Sequence, residues 1–162
     1  MEYDPRLLFD IREIDLSATM VDIEEIRRFN KHRGEAEQID RIVWHSEDYA
    51  RAVASRLIRD DEWWVAGHVP GNPLLPAVMM VEAAAQVASY TFQVRKFAEY
   101  NFVGFTGIDR TKFRQTVSPG DQMYLLVQDV KVNIKRMISD IQGIVDGKLV
   151  FETRITGMPI VK

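Results

Sequence analysis

In the second half of the chain, apolar and polar residues alternate with a period of two, which is typical of β-strands with one buried face. β-Branched and aromatic residues are frequent in the same stretches, and these residue types favour extended backbone. Asp146 and Gly147 lie between two of the stretches, and this pair is typical of a two-residue type I′ hairpin. The pattern therefore predicts strands at 103–113, 122–134, 137–145 and 148–157.

The first half of the chain contains shorter extended patterns and one region of helical spacing. Extended segments are predicted at 7–16, 50–58 and 63–65. Residues 20–48 are rich in charge, and their isoleucines recur at helical spacing on either side of Gly34. Asp22 followed by Glu25 is typical of a capping box, which marks the start of a helix. We therefore expect two short amphipathic helices in this segment.

A long apolar stretch at 76–96 predicts a central helix that begins at Pro76, where the missing N–H of proline costs nothing. Three consecutive alanines, 83–85, would allow a curved sheet to approach this helix closely. One long helix and five or six strands predict an α+β fold, with an antiparallel β-sheet wrapped around the helix. The length fits a single domain, 1–162, in which 20–48 forms an N-terminal helical insert.

A loop rich in proline and glycine precedes the central helix and carries His68. Three prolines and two glycines in ten residues specify one loop path. Fourteen residues after the histidine, Glu82 lies among apolar helical neighbours, where a carboxyl group is costly to bury and therefore often functional. The loop reads Gly67-His68-Val69-Pro70-Gly71-Asn72-Pro73-Leu74-Leu75-Pro76, and the helix continues to Ala85-Gln86.

This motif, together with a second block at 102–121, resembles the β-hydroxyacyl-acyl carrier protein dehydratases of fatty acid synthesis, the FabZ/FabA-type enzymes, and most closely the FabZ type. The resemblance implies the hotdog fold and the conversion of a (3R)-hydroxyacyl-acyl carrier protein to the trans-2-enoyl form plus water. It also implies a homodimer, or a hexamer built from three dimers. A glutamate at position 82, where isomerising relatives carry aspartate, favours dehydration alone.

Dehydration needs a base for the α-proton, an acid for the β-hydroxyl, and a donor for the thioester oxygen. His68 is the candidate base, because a neutral imidazole accepts a proton near pH 7. Glu82 is the candidate acid, since desolvation favours its protonated form. Gln86 lies one turn beyond Glu82, where it could orient the carboxyl group or serve structure alone. The resemblance implies that the backbone N–H of Ala77 is the oxyanion donor, and that His68 and Glu82 meet across the dimer interface.

The sequence departs from the family pattern at three places. Ala77 replaces a usual glycine, and Val69 replaces a usual phenylalanine, which affects substrate choice and rate more than reaction type. The insert at 20–48 is the third departure, either a surface decoration or a lid. Two other functions stay open: a non-catalytic hotdog subunit that binds acyl chains, and a hotdog thioesterase that activates water with Glu82. His32 and His45, in the insert, are expected to be solvated.

Composition and charge limit the classes of partner and the cellular location that the sequence predicts. A net charge of −3 argues against general nucleic-acid binding, no stretch has membrane-spanning length, and the first residues lack a signal-peptide pattern. The absence of cysteine fits a cytoplasmic protein, and no cofactor or metal motif is present. Between residues 95 and 136, eight basic residues stand against four acidic ones. These are either solvated charges or a docking surface for acidic acyl carrier protein.

Overall fold

In a computed structural model that describes residues 4–97, 99 and 101–160, six antiparallel strands form one sheet beside a long helix. The order of strands across the sheet is β1-β2-β4-β5-β6-β3, so β1 and β3 are its edges. The α+β hotdog arrangement predicted from the sequence is confirmed. The helices are α1 (Ile23–Phe29) and α2 (Ala77–Gln93), and the strands are β1 (Arg41–His45), β2 (Arg51–Leu57), β3 (Phe102–Phe113), β4 (Gln122–Asn133), β5 (Arg136–Val145) and β6 (Lys148–Ile160).

Helix α2 covers one face of the sheet and forms the larger core. Its alanines 83, 84 and 88 are fully buried against β2 and β4, where Ala54 and Leu125 point toward the helix. Small side chains on α2 allow this close approach, as the sequence predicted. None of the helices in the described part of the chain is long and apolar enough to cross a membrane.

The opposite face of the sheet is covered by the segment 7–16. Phe9 and Ile11 pack there against Val53 and Leu126, which alternate along their strands with the residues that face α2. β2 is therefore buried on both faces, and five consecutive residues in it are inaccessible to solvent. The sheet lies between the helix and the N-terminal segment.

The strand predicted at 7–16 is wrong, although the alternation that suggested it is real. Phe9 and Ile11 are buried as the pattern requires, but the backbone forms turns instead of a ladder. The carboxylate of Asp10 accepts the backbone N–H of Arg12 at 3.0 Å, and Asp4 and Asp15 accept in the same way from the residues two positions on. Such side-chain bonds compete with strand pairing for the backbone N–H groups.

Two further expectations need correction. The second amphipathic helix of 20–48 is instead strand β1, after a short 3₁₀ turn at Gly34–Ala36. Ile42 and Val43 are both buried because they face opposite sides of the sheet, a placement that a helix could not give. Residues 63–65 form turns instead of an extended segment, since the Val65 N–H donates to the Glu62 carbonyl at 3.0 Å.

The remaining elements follow the sequence. The first helix of 20–48 is α1, whose N-cap Asp22 accepts the backbone N–H of Glu25 at 2.9 Å. Asp146 and Gly147 have φ angles of 48° and 73°, as a type I′ turn requires. The four predicted C-terminal strands and the central helix agree with β3 to β6 and α2 to within a few residues.

Candidate active site

Backbone hydrogen bonds hold the loop that carries His68 at both ends. The Trp64 carbonyl accepts the N–H of Gly67 at 3.1 Å and that of His68 at 2.7 Å. At the far end, the Leu75 N–H donates to the Val117 carbonyl at 2.7 Å. The path of the loop into α2 is therefore fixed by main-chain contacts.

A tight turn follows the histidine. The N–H of Asn72 donates to the carbonyl of Val69 at 2.9 Å, and Gly71 has a φ of 84°, the value that a type II turn requires at its third residue. Val69 itself has a φ of 60°, where a β-branched side chain is crowded by its own backbone. The departure from the family pattern at position 69 thus places a strained residue directly after His68.

The imidazole of His68 is oriented by one contact. Its Nδ1 lies 2.6 Å from the carbonyl oxygen of Leu74. Because a carbonyl oxygen only accepts, Nδ1 carries the hydrogen and the neutral ring presents the lone pair of Nε2. The side chain is exposed in the single chain, so this nitrogen is open to a substrate. The sequence predicted the residue but not its tautomer.

An ion pair between Arg56 and Glu62 also helps to hold the loop that carries His68. The Glu62 carboxylate accepts from Arg56 Nη2 at 2.6 Å and from the indole Nε1 of Trp64 at 2.8 Å. Trp64 is the residue whose carbonyl holds the backbone of His68. Burial lowers the pKa of the Arg56 guanidinium, and the nearby Glu62 carboxylate opposes that shift. The loop that carries His68 is therefore held in place by three contacting side chains, those of Arg56, Glu62 and Trp64.

Helix α2 begins at Ala77, the predicted oxyanion position. Its N-cap is Pro76, and no side chain caps the helix start among the described residues. The first N–H groups of a helix have no partner within it and carry a partial positive charge. The backbone of Ala77 thus has the electrostatic character that an oxyanion donor needs.

Glu82 lies on the second turn of α2, and Gln86 fixes its carboxyl group. Gln86 Nε2 donates to Glu82 Oε1 at 2.7 Å and to the Ala36 carbonyl at 2.7 Å. Its own oxygen accepts the backbone N–H of Gln38 at 2.9 Å. Gln86 is 2% exposed and uses both ends of its amide, so it contacts the carboxyl group and also joins α2 to the segment after α1.

The Glu82 carboxyl borders a cavity of about 80 Å³ between α2 and the sheet. His68 is not among the residues that line it, so one chain does not bring the predicted base and acid into a common cavity. Glu82 is 39% exposed in the single chain, less buried than its apolar neighbours suggested. The lining consists of His32, Glu82, Ala85, Gln86, Ser89, Val103, Phe105, Met137 and Ile155.

His32 is less solvated than expected, although its side chain remains 36% exposed. Its Nε2 lies 3.4 Å from Glu82 Oε1, and its Nδ1 is buried. His45 is also ordered by contacts, because its ring stacks on Tyr49 at a centroid distance of 4.0 Å. No local pattern could have identified the contact of His32, since fifty residues separate it from Glu82 and the loop after α1 brings them together.

The basic stretch from 95 to 136 does not act as one surface. Arg95 is mostly buried, and its Nη1 lies 2.7 Å from Asp129 Oδ2. Arg114 pairs with Glu152 at 2.6 Å across neighbouring strands. Five basic side chains are exposed on or beside strands β3 to β5 and are available for an acidic partner: Arg110, Lys112, Lys131, Lys135 and Arg136.

Comparison with known proteins places this geometry in context. The family model of the FabA-like domain matches residues 31–154. The chain is 37% identical over 138 residues to the 3-hydroxyacyl-(acyl-carrier-protein) dehydratase FabZ of Anoxybacillus flavithermus, covering 84% of this chain and 95% of the relative. The FabZ of a Geobacillus species is 36% identical, with coverage of 84% and 93%.

Solved structures share the architecture at low sequence identity. The dehydratase heterocomplex ApeI:P from Xenorhabdus doucetiae superposes with a TM-score of 0.70 at 14% identity, covering 85% of this chain and 91% of that one. Cj0977, a sigma28-regulated virulence protein of Campylobacter jejuni, gives 0.66 at 15% identity, with coverage of 91% and 96%. At these identities the likeness concerns the fold alone.

Proposed function

The chain belongs to the FabA-like family, and on that premise we propose that it removes water from a 3-hydroxyacyl-acyl carrier protein with His68 as base and Glu82 as acid. The enzyme is a hydro-lyase of fatty acid biosynthesis, and both relatives compared above are named 3-hydroxyacyl-(acyl-carrier-protein) dehydratase FabZ. The observation that carries the residue assignment is the orientation of His68: the Leu74 carbonyl holds Nδ1–H and leaves Nε2 free to accept a proton.

The first proton transfer involves His68 and the start of α2. Nε2 takes the α-proton of the acyl chain, and the ring becomes an imidazolium whose Nδ1–H remains bonded to Leu74. The electron pair of the C–H bond moves toward the thioester carbonyl. The Ala77 N–H donates to that oxygen, where the positive end of the helix stabilises the developing charge.

The second transfer involves Glu82. Its carboxyl group donates a proton to the β-hydroxyl, the C–O bond breaks, and a trans-2 double bond forms as water leaves. The carboxylate that results is held by the Gln86 amide at 2.7 Å. Hydroxide is a poor leaving group, so the positioned acid is essential to this step.

A homodimer completes the site in this proposal. Edge strand β3 exposes Phe102, Phe105, Ile108 and Phe113, each with more than two fifths of its surface accessible in the single chain. An unpaired edge with exposed apolar side chains favours pairing with a second copy. His68 of one subunit would then meet Glu82 of the other. Three dimers would form the hexamer expected from the family, a state that a mass measurement in solution distinguishes from a dimer.

Acyl carrier protein is the proposed carrier of the substrate, and the exposed basic residues on β3 to β5 are its proposed contact surface. Opposite charge accelerates and orients association with an acidic partner. The cytoplasmic location, expected from the absence of cysteine and of a signal-peptide pattern, is part of this proposal.

An assay of purified protein with 3-hydroxyacyl and saturated acyl thioesters tests the reaction. We expect an enoyl product from the wild type and near-complete loss in Glu82→Gln, with an unchanged fold. Release of free acid from the saturated thioester would instead identify a thioesterase. An absence of turnover with either substrate, across chain lengths, would identify the non-catalytic acyl-binding subunit.

Mixing inactive variants tests the shared site. Equal amounts of His68→Asn and Glu82→Gln protein, allowed to exchange subunits, should recover about a quarter of wild-type activity, because half of the dimers are mixed and each has one intact site. Each variant alone is the control. If the mixture stays as inactive as its components while mass spectrometry shows mixed dimers, base and acid belong to the same chain.

A further inference from the structure

His32 lies against the acid of the proposed reaction although it belongs to neither signature motif. It follows α1 in the chain and reaches across the cavity to α2. Its Nε2 is 3.4 Å from Glu82 Oε1, slightly longer than an ordinary hydrogen bond, so a shift of a few tenths of an ångström brings it into bonding range. The inner lining of the cavity comes from β3, β5 and β6 and is apolar, whereas His32 and Glu82 lie at its mouth, where their side chains are 36% and 39% exposed in the single chain.

The loop that carries His32 is attached firmly to α2. Asn30 is 4% exposed, and its Nδ2 donates to the backbone carbonyl of Gln86 at 2.9 Å, while its Oδ1 accepts from Gln93 at 3.2 Å. The guanidinium of Arg33 donates to the carbonyls of Asn30, His32 and Arg27. The backbone of His32 is therefore held in one position relative to the helix that carries Glu82.

The two ring nitrogens of His32 differ in a way that identifies its tautomer. Nδ1 is buried and has no hydrogen-bond partner within the part of the chain that the structure describes. A buried N–H without an acceptor is more costly than a buried lone pair, and most costly on a charged ring. The neutral ring with its hydrogen on Nε2 avoids that cost, and Nε2 is the nitrogen that lies 3.4 Å from Glu82 Oε1.

We infer that His32 is a positioning residue that acts through Glu82, an inference that rests on the proposed function. Gln86 and His32 both approach Oε1 of Glu82, from opposite segments of the chain. An oxygen that accepts two donors is the carbonyl-like oxygen of the protonated acid, so the transferable proton resides on Oε2. The same donors stabilise the carboxylate that remains after the proton has gone to the leaving hydroxyl.

Substitutions that separate the donor from the shape of the ring test the inference. His32→Leu fills a similar volume without a donor, and His32→Gln restores an N–H. We expect His32→Leu to lower kcat roughly tenfold to a hundredfold with KM changed less than about twofold, as fits loss of a hydrogen bond to a charged group. His32→Gln should recover most of kcat. His45→Gln is the matched control and should retain wild-type kinetics.

A second background tests whether His32 acts through Glu82. Glu82→Asp withdraws the carboxyl group from His32, so adding His32→Leu to it should reduce kcat by less than about twofold, since coupled residues are not additive. Full loss on both backgrounds would overturn the inference, as would wild-type kcat in His32→Leu or an effect confined to KM. Melting temperatures of the variants that match the wild type show that a loss of kcat does not come from unfolding. Wild-type turnover together with an inactive Glu82→Gln shows that the proposed function holds even when the inference about His32 fails.

Discussion

The two halves of the proposed site are built by different means. His68 is fixed locally, by the carbonyls of Trp64 and Leu74, and its ring is open to solvent. Glu82 borders a small cavity and is contacted by two side chains, Gln86 one turn along α2 and His32 from the distant loop after α1. A base on a rigid loop needs only a correct backbone, whereas an acid needs an environment that controls which of its oxygens carries the proton. We therefore expect substitutions elsewhere in the chain to change the orientation of His68 little and that of Glu82 more.

The largest expected effect comes from removing the base itself. His68→Asn keeps a side-chain donor near the Leu74 carbonyl but loses the titrating lone pair. We expect kcat to fall by about 10²–10⁴-fold, the usual contribution of general base catalysis, with little change in melting temperature because the side chain is exposed. Steady-state kinetics with a 3-hydroxyacyl thioester measure the loss. Activity within a few-fold of wild type would remove His68 from the mechanism.

A smaller, mixed effect should follow from removing the amide that holds the acid. Gln86→Met keeps the volume but leaves the buried Gln38 N–H without its acceptor, and it removes the donor to the carbonyl of Ala36, an exposed residue. We expect the free energy of unfolding to fall by about 1–3 kcal/mol, the cost of one buried group left unsatisfied. kcat should fall roughly tenfold as Glu82 loses its partner. Denaturant unfolding and steady-state kinetics measure the two quantities.

Gln93→Met provides the control for that prediction. Gln93 is also buried on α2 and also bonds to side chains, namely Ser89 and Asn30, but it does not contact Glu82. Its replacement should lower stability without a comparable loss of kcat. Equal effects on kcat in the two variants would mean that Gln86 matters only for the packing of the helix.

The smallest effect concerns backbone strain beside the base. Val69 has a φ of 60°, and Val69→Gly removes the crowding of the β-branched side chain at that angle. The glycine also makes the unfolded chain more flexible, which opposes part of the gain in stability. We expect a net gain of about 0.5–1 kcal/mol in the free energy of unfolding. Val130→Gly, at a similarly exposed position on β4, should instead be destabilising. A loss of stability in Val69→Gly would show that the strain is relieved elsewhere in the loop.

The same difference determines which residues and contacts of the site could be predicted from the sequence. The His68 loop and the position of Glu82 on α2 were predictable because Pro, Gly and helical periodicity act over a few neighbouring residues. The contact of His32 was not, because it depends on the folded path of the segment after α1. The structure places His68 in the loop and Glu82 on α2, as the motif predicts, whereas His32, expected to be solvated, contacts Glu82 through the tertiary fold.

The same reasoning explains the success and failure of the predicted fold. Strands β3 to β6 are long and alternate regularly, so their pattern was sufficient. Segment 7–16 alternates as well, but its aspartates bind their own backbone and exclude it from the sheet. β1 is short, and its adjacent residues Ile42 and Val43 are both buried, so the strand does not alternate between buried and exposed residues. The sequence alone does not reveal that the sheet is covered on both faces at this point.

The N-terminal segment over the second face of the sheet has a consequence for how copies of this chain can meet. With α2 on one side and Phe9 and Ile11 on the other, strands β2 and β4 are covered on both faces and are not free to stack against another sheet. The two edges of the sheet remain for pairing with a second copy, and of these β1 has five residues whereas β3 has twelve. The N-terminal layer thereby favours β3 as the edge at which the two copies of the proposed homodimer pair.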